Sequence, residues 1–270
     1  MGLIATPHTG IIRPRRPPIA EAMGFGFGFG RGGRGFKKVV SSSFDPTTLG
    51  PTELCRADGS EYNGAPWVAE YGSGLNELTN PPPTGTTQNG FTPADFNGTT
   101  HLLSTGDDFS NYVAVGGLAG TIIVLFRADT AAAAAANTYD DPALVSDLIN
   151  CFNFGFSDGG IGVAFFDGSS WIQDRTTCSA ANWHVGVCRW NASTVEIGVD
   201  GGTFSSSAHA GALGVISSSG YNFTVGHSEI NASTFFDGRV LEVWAFNVKL
   251  TNQNITDYVG YVNSRYNLSL

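Results

Sequence analysis

The chain carries little charge and little methionine: 14% of its 270 residues are Asp, Glu, Lys or Arg, and only 2 are Met. Helical proteins draw heavily on such residues, so this scarcity argues against a mainly helical fold. No run reaches the roughly 18 consecutive apolar residues of a membrane span, so no membrane partner is expected. The opening MGLIATPHTGIIRPRRPP is broken by His, Arg and Pro before the apolar core of a signal peptide can form, which excludes classical secretion as the expected route. Four cysteines (Cys55, Cys151, Cys178, Cys188) show no C-x-x-C pair, which points away from zinc. Cys178 and Cys188 flank a turn and could be bridged in an oxidising compartment, but buried free thiols are the expectation. There is no G-x-S-x-G, and the five histidines show no H-E-x-x-H spacing. His184, opening a strand beside Trp183, reads as a packed or hydrogen-bonded core histidine.

What the chain has in quantity is 36 Gly and 19 Phe, the composition of many short strands joined by turns. Charge is unevenly placed. Residues 1–38 hold seven basic groups against Glu21, about +6, so the chain's formal −9 leaves −15 for residues 39–270. An acidic body argues against nucleic acid as its partner, because neutralising phosphates takes Lys and Arg.

Residues 1–44 read as an extended basic arm. RPRRPP enforces extended backbone, and GFGFGFGRGGRGF has too little side-chain volume to pack on itself. It contains G-x-G-x-x-G trivially, without a preceding strand, and its RGGRG leaves RNA stacking as a rival use. Phe25, Phe27 and Phe29, two apart, would project to one side of an extended chain. With Arg13, Arg15, Arg16, Arg31 and Arg34 they form a candidate assembly anchor, rings lying in apolar grooves and guanidinium groups on carboxylates of neighbouring subunits.

Residues 45–270 read as one β-domain. TIIVLFRAD (121–129) is apolar on both faces, as expected of a central strand. HVGVCRW (184–190), STVEIGVDGG (193–202) with a turn at Asp200-Gly201-Gly202, YNFTVGH and FFDGRVLEVWAFN supply further strands. TAAAAAANTYDD (130–141) reads as a solvent-exposed connection without chemistry. Thr251 caps a C-terminal helix whose Ile255, Tyr258, Val259, Val262 and Tyr266 form one apolar stripe.

FNGTTHLLS, TIIVLFRAD, NWHVGVCRWNASTVEIGVDGG and FFDGRVLEVWAFNVKLTNQNITDYVGYVNSRYNL resemble, in that order, segments of laminin-G-like and pentraxin-like domains of the concanavalin A-like lectin/glucanase superfamily, over residues 90–268. The resemblance implies an all-β jelly-roll antiparallel β-sandwich with a C-terminal helix, and the closing YVNSRYNL is similar to versions in tailed-phage proteins. Glucan hydrolases of that superfamily share a Glu-x-Asp-x-x-Glu strand, which is absent here. Glu196 and Asp200 come nearest, about 13 Å apart along a strand, too far for either glycosidase geometry. No enzyme is expected. The resemblance also implies calcium at a sandwich edge, for which Asp107, Asp108, Asp167 and Asp200 are read as turn residues. Sugar binding needs exposed aromatics beside polar groups, for which Tyr139 and Trp171 are the loop-like candidates. The resulting expectation is a non-enzymatic virion structural protein, a capsid decoration or tail component assembled in the host cytoplasm. Its arm would contact other virion proteins and copies of itself, and its jelly roll would bind host-surface glycans. The alternative is a free carbohydrate-binding module with a disordered tail.

Overall fold

A computed structural model describes residues 44–56, 62, 67, 75, 80–108, 119–130, 138–147, 152–157, 159–167, 169–209, 222–228 and 234–270. The arm and all its anchor candidates (Arg13, Arg15, Arg16, Phe25, Phe27, Phe29, Arg31 and Arg34) lie outside these residues.

The described elements are β1 (Glu53–Arg56), β2 (Ala94–Asn97), β3 (Leu103–Asp108), β4 (Ala119–Ala128), β5 (Ala143–Ser146), β6 (Phe152–Ser157), β7 (Gly160–Phe166), β8 (Trp171–Thr177), β9 (Trp183–Asn191), β10 (Thr194–Val199), β11 (Ser205–Ala208), β12 (Asn222–Val225), β13 (His227–Ser228), β14 (Thr234–Phe235), β15 (Asp237–Phe246) and α1 (Asn252–Tyr266). They form two sheets packed face to face. The first runs β1-β15-β4-β9-β10-β11, with β2 also on β15; the second runs β13-β14-β5-β6-β7-β8, with β12 joining β5 to β3. Pairing is antiparallel except for one parallel bridge, Phe235 to Ala143. The chain is an all-β jelly-roll sandwich closed by a C-terminal helix.

Period-2 alternation assigns the faces. On β4, Ile122, Val124 and Phe126 point between the sheets, where they meet Phe152, Phe154, Phe156, Val163 and Phe165 of β6 and β7. Ile123 and Leu125 point the other way, into a second apolar layer against α1. This is why β4 is apolar on both faces: each face has its own core. Trp190 lies in the inter-sheet core and Trp244 under the helix, both fully buried, and Trp183 packs at the edge of the helix layer.

The helix begins at Thr251, whose hydroxyl accepts from the Asn254 N–H, while the Asn254 side chain accepts from the Thr251 N–H. Such a reciprocal cap is worth about 1 kcal/mol. All five residues of the expected stripe are buried. A β-bulge in β15 sets the helix interface. Register shifts between Val240 and Glu242, so Leu241 and Glu242 both reach the helix side and alternation resumes with Val243 inward. Glu242 is fully buried there, accepting from Trp244 Nε1 (2.7 Å), Tyr258 Oη (2.6 Å) and Tyr261 Oη (3.3 Å), as well as from the Tyr266 hydroxyl. Arg265 stands 3.9 Å away. Burial, with the Glu242 charge beside them, pushes the Tyr258 and Tyr266 hydroxyls well above the usual tyrosine range.

Candidate functional site

The outer face of the second sheet is built from small residues. Because Phe152, Phe154, Phe156, Ile161, Val163, Phe165 and Ile172 point inward, the other face of β6, β7 and β8 presents Asn153, Gly155 and Ser157, then Gly162, Ala164 and Phe166, then Trp171, Gln173 and Arg175. Gly155 and Gly162 leave the sheet flat enough for a 3-10 turn, Thr138–Asp140, and the following Asp141 and Pro142 to lie against it. A Cβ on Gly155 would come within 2.8 Å of the Pro142 carbonyl, and one on Gly162 within 2.8 Å of Asp141 Oδ2 and Thr138 Cγ2.

Polar side chains staple that turn down. Thr138 donates its N–H to Gln173 Oε1 (2.7 Å) and its hydroxyl to the Val163 carbonyl (2.8 Å). Asn153 Nδ2 donates to the carbonyls of Thr138 (2.8 Å) and Asp141 (3.0 Å). The fully buried Asp141 carboxylate accepts from Arg175 Nη2 at 2.7 and 2.9 Å and from Ser157 Oγ at 2.7 Å. The end of the alanine-rich segment is therefore seated on the sheet, correcting the expectation of a solvent-exposed connection: Thr138 and Asp141 are both buried. Gly155 and Gly162 make the room and Asp141 supplies the ionic tie.

The seated turn brings the two aromatic candidates together. Tyr139 stacks on Trp171 with ring centroids 4.8 Å apart and planes at 29°, and Phe166 meets Trp171 at 5.4 Å and 51°. All three are half-buried. Beside Trp171, Asp167 closes the β7–β8 turn by accepting from the N–H groups of Ser170 (2.7 Å) and Ser169 (2.8 Å) and from the Ser169 hydroxyl (2.8 Å). These bonds, Ser170's first, hold its carboxyl down at about 2. The stack, the Phe166 ring, Gln173 and the Arg175–Asp141 pair make one aromatic patch with polar neighbours. Sequence reasoning missed Phe166, Gln173, Arg175 and Asp141; the legible signal was the period-2 row of small residues in FNFGFS and GIGVAF.

The four aspartates read as calcium ligands are not brought together. Asp107 and Asp108 end strand β3, and Asp108 pairs with Asn222, which corrects their reading as turn residues: the turn chemistry of Gly106-Asp107-Asp108 yields to pairing with β12. Strands β12, β5 and β6 separate β3 from the β7–β8 hairpin, about 19 Å at the usual strand spacing. Asp200 does lie in the β10–β11 turn of the other sheet. There φ is +52° at Asp200 and +72° at Gly201, and Gly202 donates to the Val199 carbonyl, the left-handed pair of a two-residue mirror-image turn. Its carboxylate binds His184 Nδ1 at 2.6 Å and accepts from the Val185 N–H at 2.8 Å. Among the described residues no cluster of three or more His, Cys, Asp or Glu side chains could hold a metal ion.

Glu196, the nearest approach to a catalytic carboxylate, is occupied. It pairs with Arg189 (2.6 Å) and Lys249 (2.6 Å) on the helix side of the first sheet. Burial raises its pKa, but the hydrogen bonds from Lys249 and Arg189 outweigh that and leave the carboxyl below its ordinary range. Cys188 is buried, Cys178 is half-buried, and both are free thiols. No described helix is long and apolar enough to cross a membrane.

No family model matches the chain, and no curated protein matches it. Solved structures do. Domain 4 of AbnA, a GH43 extracellular arabinanase from Geobacillus stearothermophilus, solved in complex with arabinotriose, shares 12% identity over 76% of this chain and 86% of that one, with a TM-score of 0.51. The fold is a shared β-sandwich. The binding domain of Paraclostridial Mosquitocidal Protein 1 matches at 11% identity and TM-score 0.59, covering 81% of this chain and 54% of that one. Botulinum neurotoxin type C, whose cell entry is dependent upon interaction with two ganglioside molecules, matches at 9% identity and TM-score 0.56, covering 77% of this chain and 51% of that one. The chain thus spans about half the length of the two toxin chains. At these identities the likeness is one of fold.

Proposed function

We propose that this β-sandwich is a carbohydrate-binding module whose platform is the Tyr139–Trp171 stack with Phe166 beside it. The observation that carries the proposal is the stack itself: two half-buried rings from distant segments, held on the sheet by Asp141, Arg175 and Asn153. A sugar's C–H face packs on an aromatic face while its hydroxyls seek neighbouring polar groups, and the patch offers both. The arabinotriose complex of the AbnA domain and the ganglioside dependence of the type C neurotoxin support this reading, as does the laminin-G-like resemblance. The reading is one of binding without cleavage, since Asp141, the carboxylate seated under the platform, is tied to Arg175 and Ser157.

The test is a glycan array with the multimerised chain, then titration of a positive glycan. Trp171→Ala and Tyr139→Ala should each weaken binding about tenfold, roughly 1.4 kcal/mol. Binding that survives both substitutions, or no binding at high avidity, removes the reading. In its fuller form the module is displayed on a virion, anchored by residues 1–44 to capsid or tail proteins and repeated so that weak sites add. The +6 charge and Phe-Gly composition of that arm motivate this part. Deleting residues 1–38 should abolish incorporation into particles while leaving glycan binding intact; full incorporation of the truncated chain would overturn the anchor.

A further inference from the structure

The β8–β9 loop crosses from one sheet to the other and brings a serine against His184. Ser179 Oγ lies 3.0 Å from His184 Nε2, and His184 Nδ1 lies 2.6 Å from Asp200 Oδ2. Asp200 is itself oriented, its other oxygen accepting from the Val185 N–H at 2.8 Å. With a neutral imidazole these contacts line up as a relay: the Ser179 hydroxyl donates to Nε2, and Nδ1–H donates to the carboxylate. Ser179 is exposed while the His184 ring is nearly buried. Asn182 Nδ2 donates to Ser179 Oγ at 2.9 Å. Between them Ala181 is held at φ +64° by its N–H bond to the Ala128 carbonyl, 2.7 Å, a left-handed conformation that is unfavourable for a residue with a Cβ. A cleft of about 550 Å³ adjoins, lined by Asn182, Trp183, His184, Asp200 and residues 267–270.

We propose that Ser179, His184 and Asp200 form a nucleophile, base and orienting carboxylate that hydrolyse carboxylic esters. A triad is recognised by geometry and roles rather than by chain order, which is why the absence of G-x-S-x-G did not reveal it. As Ser179 Oγ bonds to the acyl carbon, its proton passes to His184 Nε2, and the oxyanion accepts from Asn182 Nδ2. The ester C–O bond then breaks and the alcohol leaves with the proton from His184. Water repeats the sequence: it gives a proton to His184, its oxygen bonds to the acyl carbon, the acid departs, and Ser179 regains its proton. Asn182 is the single side-chain donor on Oγ among the described residues, so the oxyanion receives modest support. That suits esters with a good leaving group rather than amides. This site, at the end of the sandwich where Asp200 turns, is separate from the aromatic patch and stands or falls independently of it.

The test uses the full chain with p-nitrophenyl acetate and, separately, an alkyl fluorophosphonate. Hydrolysis should fall about 100-fold in Ser179→Ala, the lower range for removing a positioned acid–base partnership, and the phosphonyl adduct should map to the peptide holding Ser179. Ser179 is exposed, so this variant should unfold at the parent temperature, and Ser179→Cys should restore labelling with a thiol-directed chloromethyl ketone. Wild-type hydrolysis no faster than that of Ser179→Ala, or an adduct on any other residue, would make the three residues a structural clip and overturn the proposal.

Discussion

Gly162→Ala tests whether the platform depends on the seat beneath it. The new Cβ would stand 2.8 Å from both Asp141 Oδ2 and Thr138 Cγ2, so the turn must rise by about 0.6–1 Å to reach ordinary contact. Asp141 cannot rise freely, because Arg175 holds it at 2.7 and 2.9 Å and Ser157 at 2.7 Å; the same displacement would take these bonds beyond normal length. Overpacking of this kind costs about 1–3 kcal/mol, roughly 2–10 °C of Tm for a domain of this size. Tyr139 rides on the turn, so part of the 0.5–1.5 kcal/mol of its stack on Trp171 is lost and glycan affinity should drop about threefold to tenfold. Gly198→Ala is the matched control. Its Cβ would meet the Phe204 ring at 2.8 Å on the opposite sheet, so it should lower Tm and leave affinity alone. Thermal unfolding and glycan titration of both variants separate the effects. If Gly162→Ala binds with the parent affinity while losing stability, the seat does not position the platform and the reasoning fails.

Two further outcomes follow from groups near the two sites. Asp167 is an acid whose folded pKa is depressed, so its contribution to the β7–β8 turn is complete above the ordinary value near 3.8 and lost as pH falls through about 2. An NMR titration of its carboxyl carbon should have a midpoint near 2, and a midpoint near 4 would show that the turn does not hold it. Burial pushes the Cys178 thiol up to about 12, with the Asp200 charge adding to it, and burial likewise pushes the Cys188 thiol well above its ordinary value. Iodoacetamide at pH 8 should therefore leave both peptides unmodified until guanidinium is added, and rapid native labelling of Cys188 would contradict its burial.

What was legible in the sequence is what short-range pattern controls. Five consecutive apolar residues in β4 announced two cores, one on each face, and Thr251 with the Ile255-to-Tyr266 stripe announced α1 and the side it buries. The Asp200-Gly201 turn was readable because two adjacent left-handed residues demand that chemistry. The sites were legible only as candidates. Tyr139 and Trp171 could be named as loop aromatics, but their stacking depends on Gly155 and Gly162 leaving space on a different pair of strands, which no local pattern encodes. Alternation also failed where the chain breaks it: the bulge at Leu241 turns Glu242 toward the helix, a facing that strict period-2 counting assigns to the other side. Asp107 and Asp108 were misplaced because Asp and Gly favour turns locally, and the partner that recruits them to a strand is more than 100 residues away.

The buried Glu242 has a dynamic consequence. A surface helix held by apolar contact alone can lift and reseat with a small local free energy, whereas lifting α1 would strip three tyrosine hydroxyls from a carboxylate that sits on the sheet and leave that charge half-solvated at the edge of the apolar layer. Helix and sheet are thereby joined into one cooperative unit. Backbone amides in the middle of α1 should exchange with deuterium only when β4, β9 and β15 open as well, on the same denaturant dependence, so the C-terminal helix behaves as a further strand of the sandwich in everything but its hydrogen bonds.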